Sequence, residues 1–269
     1  MSRAAVIQMT SSTTVNDNLA VASDLLRQAA AAGAQLAVLP ENFVLMGQHE
    51  TDKFVVAESA GVGPIQSWLA NTARELKLWI VAGTIPLKLP HDTRVAAACL
   101  VINAQGDCVA RYDKMHLFDV DVDDATGSYR ESATMAPGNE PVVVDTPIGR
   151  LGLAICYDIR FPELFRALNA RGAQLFTLPA AFTVPTGTAH WDVLLRARAI
   201  ENLSFLLASA QTGLHASARE TYGHSMIVDP WGEVLAARPA EPGIVIADID
   251  LERQAALRRR FPALSHRRL

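Results

Sequence analysis

The sequence predicts an α/β fold of four layers: two sheets face to face, helices on the outer faces, two similar halves in one domain over residues 1–269. Three observations predict it. Short apolar runs of strand length alternate with segments whose apolar residues recur at helical spacing. The segment Gly33-Ala34-Gln35-Leu36-Ala37-Val38-Leu39-Pro40 returns as Gly172-Ala173-Gln174-Leu175-Phe176-Thr177-Leu178-Pro179 with six of eight residues identical, and the turn at Gly106 resembles the one at Gly232. No linker rich in glycine, serine or proline divides the chain. The rival is an ordinary three-layer α/β fold.

The elements follow in order. Ala4–Met9 reads as a buried strand and Asn16–Ala32 as a helix, with Leu19, Ala22, Leu26, Ala29 and Ala30 on one stripe and Gly33 as its stop. Gln35–Leu39 is the next strand, ended by Pro40. Pro64 suits a helix's first turn, and Ile65, Trp68, Leu69, Thr72, Ala73 and Leu76 follow at three-to-four spacing. Leu78–Leu87, Val95–Ala104 and Cys108–Tyr112 are strands, the last two joined by a turn at Gln105–Asp107. The second half reads as strands Val142–Val144 and Leu151–Cys156, helix Pro162–Ala170 and strand Gln174–Leu178. Then comes helix His190–Asn202, with Val193, Leu194, Ala197 and Ile200 inward. Strands Phe205–Ala210, His224–Val228, Glu233–Ala237 and Ile244–Ile249 precede a final helix near Leu251–Arg260.

Composition excludes several classes. Half the residues are apolar and 19% charged, too apolar for a disordered chain. A net charge of −4 argues against a nucleic-acid or anionic-membrane binder, and the basic residues of Arg258–Arg260 and His266–Arg268 read as a solvated helix end or a subunit contact. The longest apolar run, Val95–Ile102, is far short of the ~20 residues that span a bilayer. Nothing at Met1–Met9 reads as a targeting signal. Three cysteines make no disulfide framework, so a reducing cytoplasm is expected. Neither metal nor cofactor is expected: the seven histidines lack paired-ligand spacing, and no phosphate-cradling glycine loop occurs.

Strand ends are where such sheets present chemistry, and three residues stand there. Cys156 lies between a strand and a helix that can start at Pro162, where free N–H groups would favour the thiolate. The plain alternative is a small core residue, the reading given to Cys99 and Cys108. Glu41 follows Leu36–Leu39 between Pro40 and Phe43, where partial desolvation would make it a better proton acceptor; otherwise it is a solvated loop acid. Lys114, hemmed in by Tyr112, Met115, Leu117 and Phe118, could stabilise a developing oxyanion or simply sit in a salt bridge.

Taken together, Pro40-Glu41-Asn42-Phe43, Tyr112-Asp113-Lys114-Met115-His116-Leu117-Phe118-Asp119 and Ile155-Cys156-Tyr157-Asp158-Ile159-Arg160-Phe161-Pro162-Glu163-Leu164 resemble the nitrilase superfamily of carbon–nitrogen hydrolases. Gly187–Glu201 and Tyr222–Gly232 extend the likeness over essentially the whole chain. The resemblance implies the α-β-β-α sandwich and a Glu41–Lys114–Cys156 triad, with Glu131 orienting the lysine and the substrate nitrogen. Glu41 would take the thiol proton and later deliver it to departing ammonia. Lys114 and the backbone N–H of Tyr157 would hold the oxyanion, and water would cleave the resulting thioester, with no cofactor.

Within the superfamily the chain is most similar to the deaminated glutathione amidase branch, which implies hydrolysis of deaminated glutathione to 2-oxoglutarate and cysteinylglycine. The omega-amidase branch acting on 2-oxoglutaramate is the near alternative, usually with Trp at the position of Tyr222; another aliphatic amidase or nitrilase follows. A 2-oxo acid needs a cation, for which Arg160 is the candidate, against a structural pairing with Glu163 or Asp158. The loop Phe182–Thr188 would add Phe182, Thr183 and Thr186 as a wall. A homodimer or larger homo-oligomer is expected. Competing readings are a papain-like pairing of Cys156 with His190 or His224, and a binding scaffold without catalysis.

Overall fold

In the computed structural model, which describes residues 2–268, helices α1 (Val15–Ala31) and α2 (Pro64–Leu76) form one outer layer. Helices α3 (Pro162–Ala170) and α4 (Val184–Asn202) form the other. Between them lie an eight-stranded and a six-stranded sheet. The first runs Gly243–Ile249, Ser2–Gln8, Leu36–Val38, Trp79–Val81, Val95–Ile102, Ile85–Lys88, and Cys108–Asp113 and Met135–Ala136 also pair with Val95–Ile102. The second runs Val143–Thr146, Gly149–Leu153, Leu175–Ala180, Phe205–Ala210, Ser225–Val228, Val234–Arg238. Each sheet has three neighbouring parallel strands at its centre and antiparallel strands at its flanks.

Burial on both faces explains why the strands carry so few polar residues. Ala4 and Val6 face the space between the sheets, while Ala5 and Ile7 face α1 and α2. The few buried polar groups there tie sheet to sheet: the Gln8 side chain accepts from the Ser225 N–H at 2.8 Å, and the Ser209 hydroxyl donates to the Ile7 carbonyl.

The two halves share their punctuation. Gly33 and Gly172 end α1 and α3 with φ of +85° and +90°, a conformation in which glycine alone is unstrained. At the paired hairpins, Asn103 Oδ1 accepts from the N–H groups of Gln105 and Asp107, and Asp229 Oδ1 accepts from those of Trp231 and Glu233. Gly106 and Gly232 follow with φ of +84° and +86°. The two turns are one device used twice.

Several expectations are corrected. Leu78–Leu87 is two strands, Trp79–Val81 and Ile85–Lys88, because the chain breaks at Gly83, whose missing Cβ leaves room for the Pro40 carbonyl. Leu151–Cys156 stops as a strand at Leu153. Helix α4 begins at Val184, so most of Phe182–Thr188 is helix and not loop. Its buried face is Trp191, Leu195, Arg198 and Asn202, whereas Val193 and Ile200 are 66% and 46% exposed. Polar residues face inward because they have partners there: Arg198 donates to the Ile159 carbonyl at 2.8 Å, and Asn202 to the Arg198 carbonyl. Cys108 is exposed rather than core, since its strand lies at the sheet's margin.

The last helix, α5 (Leu251–Arg260), is capped by Asp250, whose side chain accepts from the Arg253 N–H. Arg258 is not a solvated end charge: it donates to the Leu203 carbonyl at 3.0 Å and the Ser204 hydroxyl at 2.9 Å within its own chain. Among the described residues no helix is long and apolar enough to cross a membrane.

Candidate active site

Three loops at the strand ends bring the acid, the base and the thiol together. Glu41 leaves the strand Leu36–Val38 through a turn in which Asn42 has φ +57°. That turn is held by the Asn42 N–H donating to Thr84 Oγ1 at 2.8 Å and by Gln211 Nε2 donating to the Glu41 carbonyl at 3.0 Å. Lys114 follows Cys108–Asp113, its N–H on the Ala97 carbonyl and its own carbonyl taking the Gly138 N–H. Cys156 opens a short 3-10 helix, Cys156–Arg160, with φ of +46°, strained for a residue with a side chain.

Asp158 holds that strained turn. It is wholly buried, and its Oδ2 accepts from the Tyr112 hydroxyl at 2.7 Å and the Ile155 N–H at 2.8 Å. Its Oδ1 accepts from the His116 N–H at 3.1 Å and lies 2.7 Å from His116 Nδ1. Tyr112 and His116 lie two residues either side of Lys114, so one carboxylate fixes the nucleophile's turn to the lysine's segment. The sequence reading missed this role; the signal was an acid two residues after a candidate nucleophile in an apolar run.

The charges are nearly dry. Glu41, Lys114 and Cys156 are each under one-tenth exposed. Lys114 Nζ lies 2.8 Å from Glu41 Oε1 and 2.8 Å from Glu131 Oε2, and Glu131 Oε2 also accepts from the Phe118 N–H. Burial alone would lower the Lys114 ammonium, yet Glu131 and Glu41 outweigh it and hold it well above its ordinary value. Burial first, then the Glu41 carboxylate, pushes the Cys156 thiol well up, and Lys114 with the Ala181 N–H does not offset this. The expected thiolate is therefore corrected: burial and the Glu41 carboxylate keep the proton on the resting sulfur.

The triad opens into a cleft whose empty space, open solvent included, is about 560 Å³. Glu131, Tyr157, Phe182 and Thr186 line it. Thr183 does not: it is buried and shares a hydrogen bond with the Thr186 hydroxyl at 2.8 Å. Nor does Arg160 line it. Its guanidinium lies over the rings of Tyr157 and Phe182, at 5.7 and 5.5 Å, and 3.3 Å from His190 Nδ1; Asp158 is already fully engaged elsewhere. The cations that do line the cleft include Lys53, Arg130 and Arg219, none of them anticipated. His190 is engaged with Arg160, and His224 stacks on Tyr222 with Nδ1 on the Tyr222 carbonyl, so neither is placed as a partner for the thiol. Among the described residues no group of three or more His, Cys, Asp or Glu could hold a metal.

Two stacked sheets with a buried thiol, carboxylate and ammonium at their strand ends define an amide-hydrolase architecture, and the carbon-nitrogen hydrolase family profile matches residues 3–259. The chain belongs to that family. It is 42% identical to the deaminated glutathione amidase of Yersinia enterocolitica over 98% of this chain and 92% of that one. It is 40% identical to the Homo sapiens deaminated glutathione amidase over 98% of this chain and 81% of that one. Among solved structures, the Caenorhabditis elegans NitFhit protein superposes with a TM-score of 0.91 at 39% identity, covering 99% of this chain and 65% of that one. An amidase from Nesterenkonia sp. AN1 superposes with a TM-score of 0.80 at 28% identity, covering 97% of this chain and all of the other; its structure shows Michael addition of acrylamide at the active-site cysteine.

Proposed function

We propose that this amidase hydrolyses the omega-amide of a 2-oxo acid, with deaminated glutathione as substrate and 2-oxoglutarate and cysteinylglycine as products. Cys156 is the nucleophile. Glu41 takes its proton as sulfur attacks the amide carbon, because a protonated thiol needs a base at the moment of attack. Lys114 and the Tyr157 N–H, at the open first turn of a helix, receive the oxyanion. Glu41 then protonates the departing nitrogen, which leaves as the amine of cysteinylglycine. Water activated by Glu41 cleaves the thioester. Glu131 keeps Lys114 charged and aimed, while Phe182 and Thr186 bound the acyl group.

One observation carries this reading: Lys114 is clamped between the Glu41 and Glu131 carboxylates in the cleft that Cys156 also lines. The same chemistry would serve 2-oxoglutaramate, with ammonia leaving. We place the enzyme in the cytoplasm as a homodimer or larger homo-oligomer, for which the exposed Val193 and Ile200 of α4 offer an apolar surface.

The test follows 2-oxoglutarate formation from both amides. Cys156→Ala should remove turnover with melting temperature unchanged, and Glu41→Gln should slow both acylation and deacylation, by about 100-fold or more. Lys114→Met should lower kcat more than it raises KM, since its charge matters most once the oxyanion exists. Appreciable amidase activity in Cys156→Ala would overturn the covalent mechanism.

A further inference from the structure

The catalytic cleft does not end at the triad. A second chamber, with about 940 Å³ of empty space when open solvent is included, adjoins it, and Asn42, Glu50, Lys53, Tyr129 and Arg219 line both. The outer chamber is walled by Leu45, Met46, Ile85 and Met135 and by polar groups such as His49 and Ser217. At its junction with the cleft stand two cations. Arg219, in the turn between the strands Thr212–Leu214 and Glu220–Tyr222, lies 5.2 Å from the Tyr129 ring centre and donates to the Ala181 carbonyl at 2.6 Å. Its Nε is buried and has no hydrogen-bond partner among the described residues. Lys53 reaches Glu50 and the Thr134 hydroxyl. Partial desolvation would raise the Glu50 carboxyl, whose side chain is still 55% exposed, yet Lys53, Arg219 and Lys114 together hold it below its ordinary value.

An enzyme whose leaving group is ammonia needs no second chamber. We propose that the outer chamber binds the amine side of the scissile amide, the part that leaves, and that Arg219 and Lys53 receive a carboxylate on it. The ligand class is a short peptide with a free terminal carboxylate; a small apolar or thiol side chain would meet the Leu45, Met46, Ile85 and Met135 wall. This rests on the amide-hydrolase reading above, and within it the chamber separates a peptide-releasing enzyme from an ammonia-releasing one.

Three amides of one acyl group test it: 2-oxoglutaramate, deaminated glutathione, and deaminated glutathione with its terminal carboxylate capped as a primary amide. In parallel, cysteinylglycine is titrated calorimetrically into Cys156→Ala protein. The wild type should prefer the free acid to the capped form by roughly 10- to 100-fold in kcat/KM, the size of a charged contact. Arg219→Gln and Lys53→Gln should each erase most of that preference, chiefly through KM. Cysteinylglycine should bind, and Arg219→Gln in the same background should abolish the binding. Equal turnover of free and capped amides would overturn the proposal. So would an equal loss on all three substrates in both variants, which would assign the cations to the acyl group or to holding the turn. If no 2-oxo acid amide is hydrolysed, the functional reading fails; the peptide titration then decides the chamber alone, and lack of binding overturns it.

Discussion

Replacing Asp158 by asparagine keeps shape and volume but removes one charge and half the accepting capacity. The carboxylate accepts two backbone N–H groups, from Ile155 on one oxygen and from His116 on the other. Asn has one oxygen, so whichever way its amide turns, an NH2 must face one of those N–H donors. The Tyr112 hydroxyl can rotate to accommodate the change; a backbone N–H cannot. One buried donor left without a partner costs about 1–3 kcal/mol, and the remaining bonds lose their charge assistance, worth about 1 kcal/mol more. A total near 2–4 kcal/mol should lower the melting temperature by about 5–15 °C in a chain of this size. The same change frees the Cys156 turn from the Lys114 segment, so kcat should fall at temperatures where the variant is folded, with KM moving less. Differential scanning calorimetry and steady-state kinetics at 20 °C check both parts. A variant melting within 2 °C of the wild type, with full kcat, would refute the role given to Asp158.

Other expectations follow from the same geometry. Arg160→Lys should depress all 2-oxo acid amides and an amide without the 2-oxo acid by similar small factors, because Arg160 stacks outside the cleft; a selective loss of roughly 10-fold or more on the 2-oxo acids would return it to the substrate. His215 is buried neutral, with its ring nitrogens on the Ser11 carbonyl and the Thr221 hydroxyl, and burial lowers its pKa. Its contribution is therefore complete above the unfolded value of 6.5 and is lost as pH falls below it; His215→Asn should flatten the decline in melting temperature between pH 7.5 and 5. Cys99→Ser buries a hydroxyl at a fully enclosed site and should cost about 1–3 kcal/mol, whereas Cys108→Ser, being exposed, should change stability by less than about 0.5 kcal/mol by urea denaturation.

The four-layer fold was legible because it is written in repetition and in apolar runs. Gly33 and Gly172, with the hairpin glycines Gly106 and Gly232, mark equivalent corners in both halves. Helix α4 was misread because its inward face carries Arg198 and Asn202 while Val193 and Ile200 point out, so the hydrophobic period misplaced the buried stripe. Glu41, Lys114 and Cys156 stand together because each follows a strand at the same end of the sheets. Arg219 and Lys53 were invisible for the opposite reason. They reach the cleft from separate segments with no periodicity, and only the folded chain brings them to one cleft. Arg160 was legible as a charge near the nucleophile, but spacing along the chain does not say which way a turn points its side chain.

The neutral state of the resting sulfur has a consequence for the protein's chemical durability. Peroxide and most electrophiles react with thiolates, and their reach depends on exposure as well as ionisation. Cys156 offers neither: it is 7% exposed, and both burial and Glu41 keep its proton on. On the function proposed above, its reactivity would rise when a carbonyl group settles against it and Lys114 shares the charge that attack creates. A nucleophile of that kind would need no second cysteine to rescue it from oxidants, because its thiol keeps its proton until the target arrives.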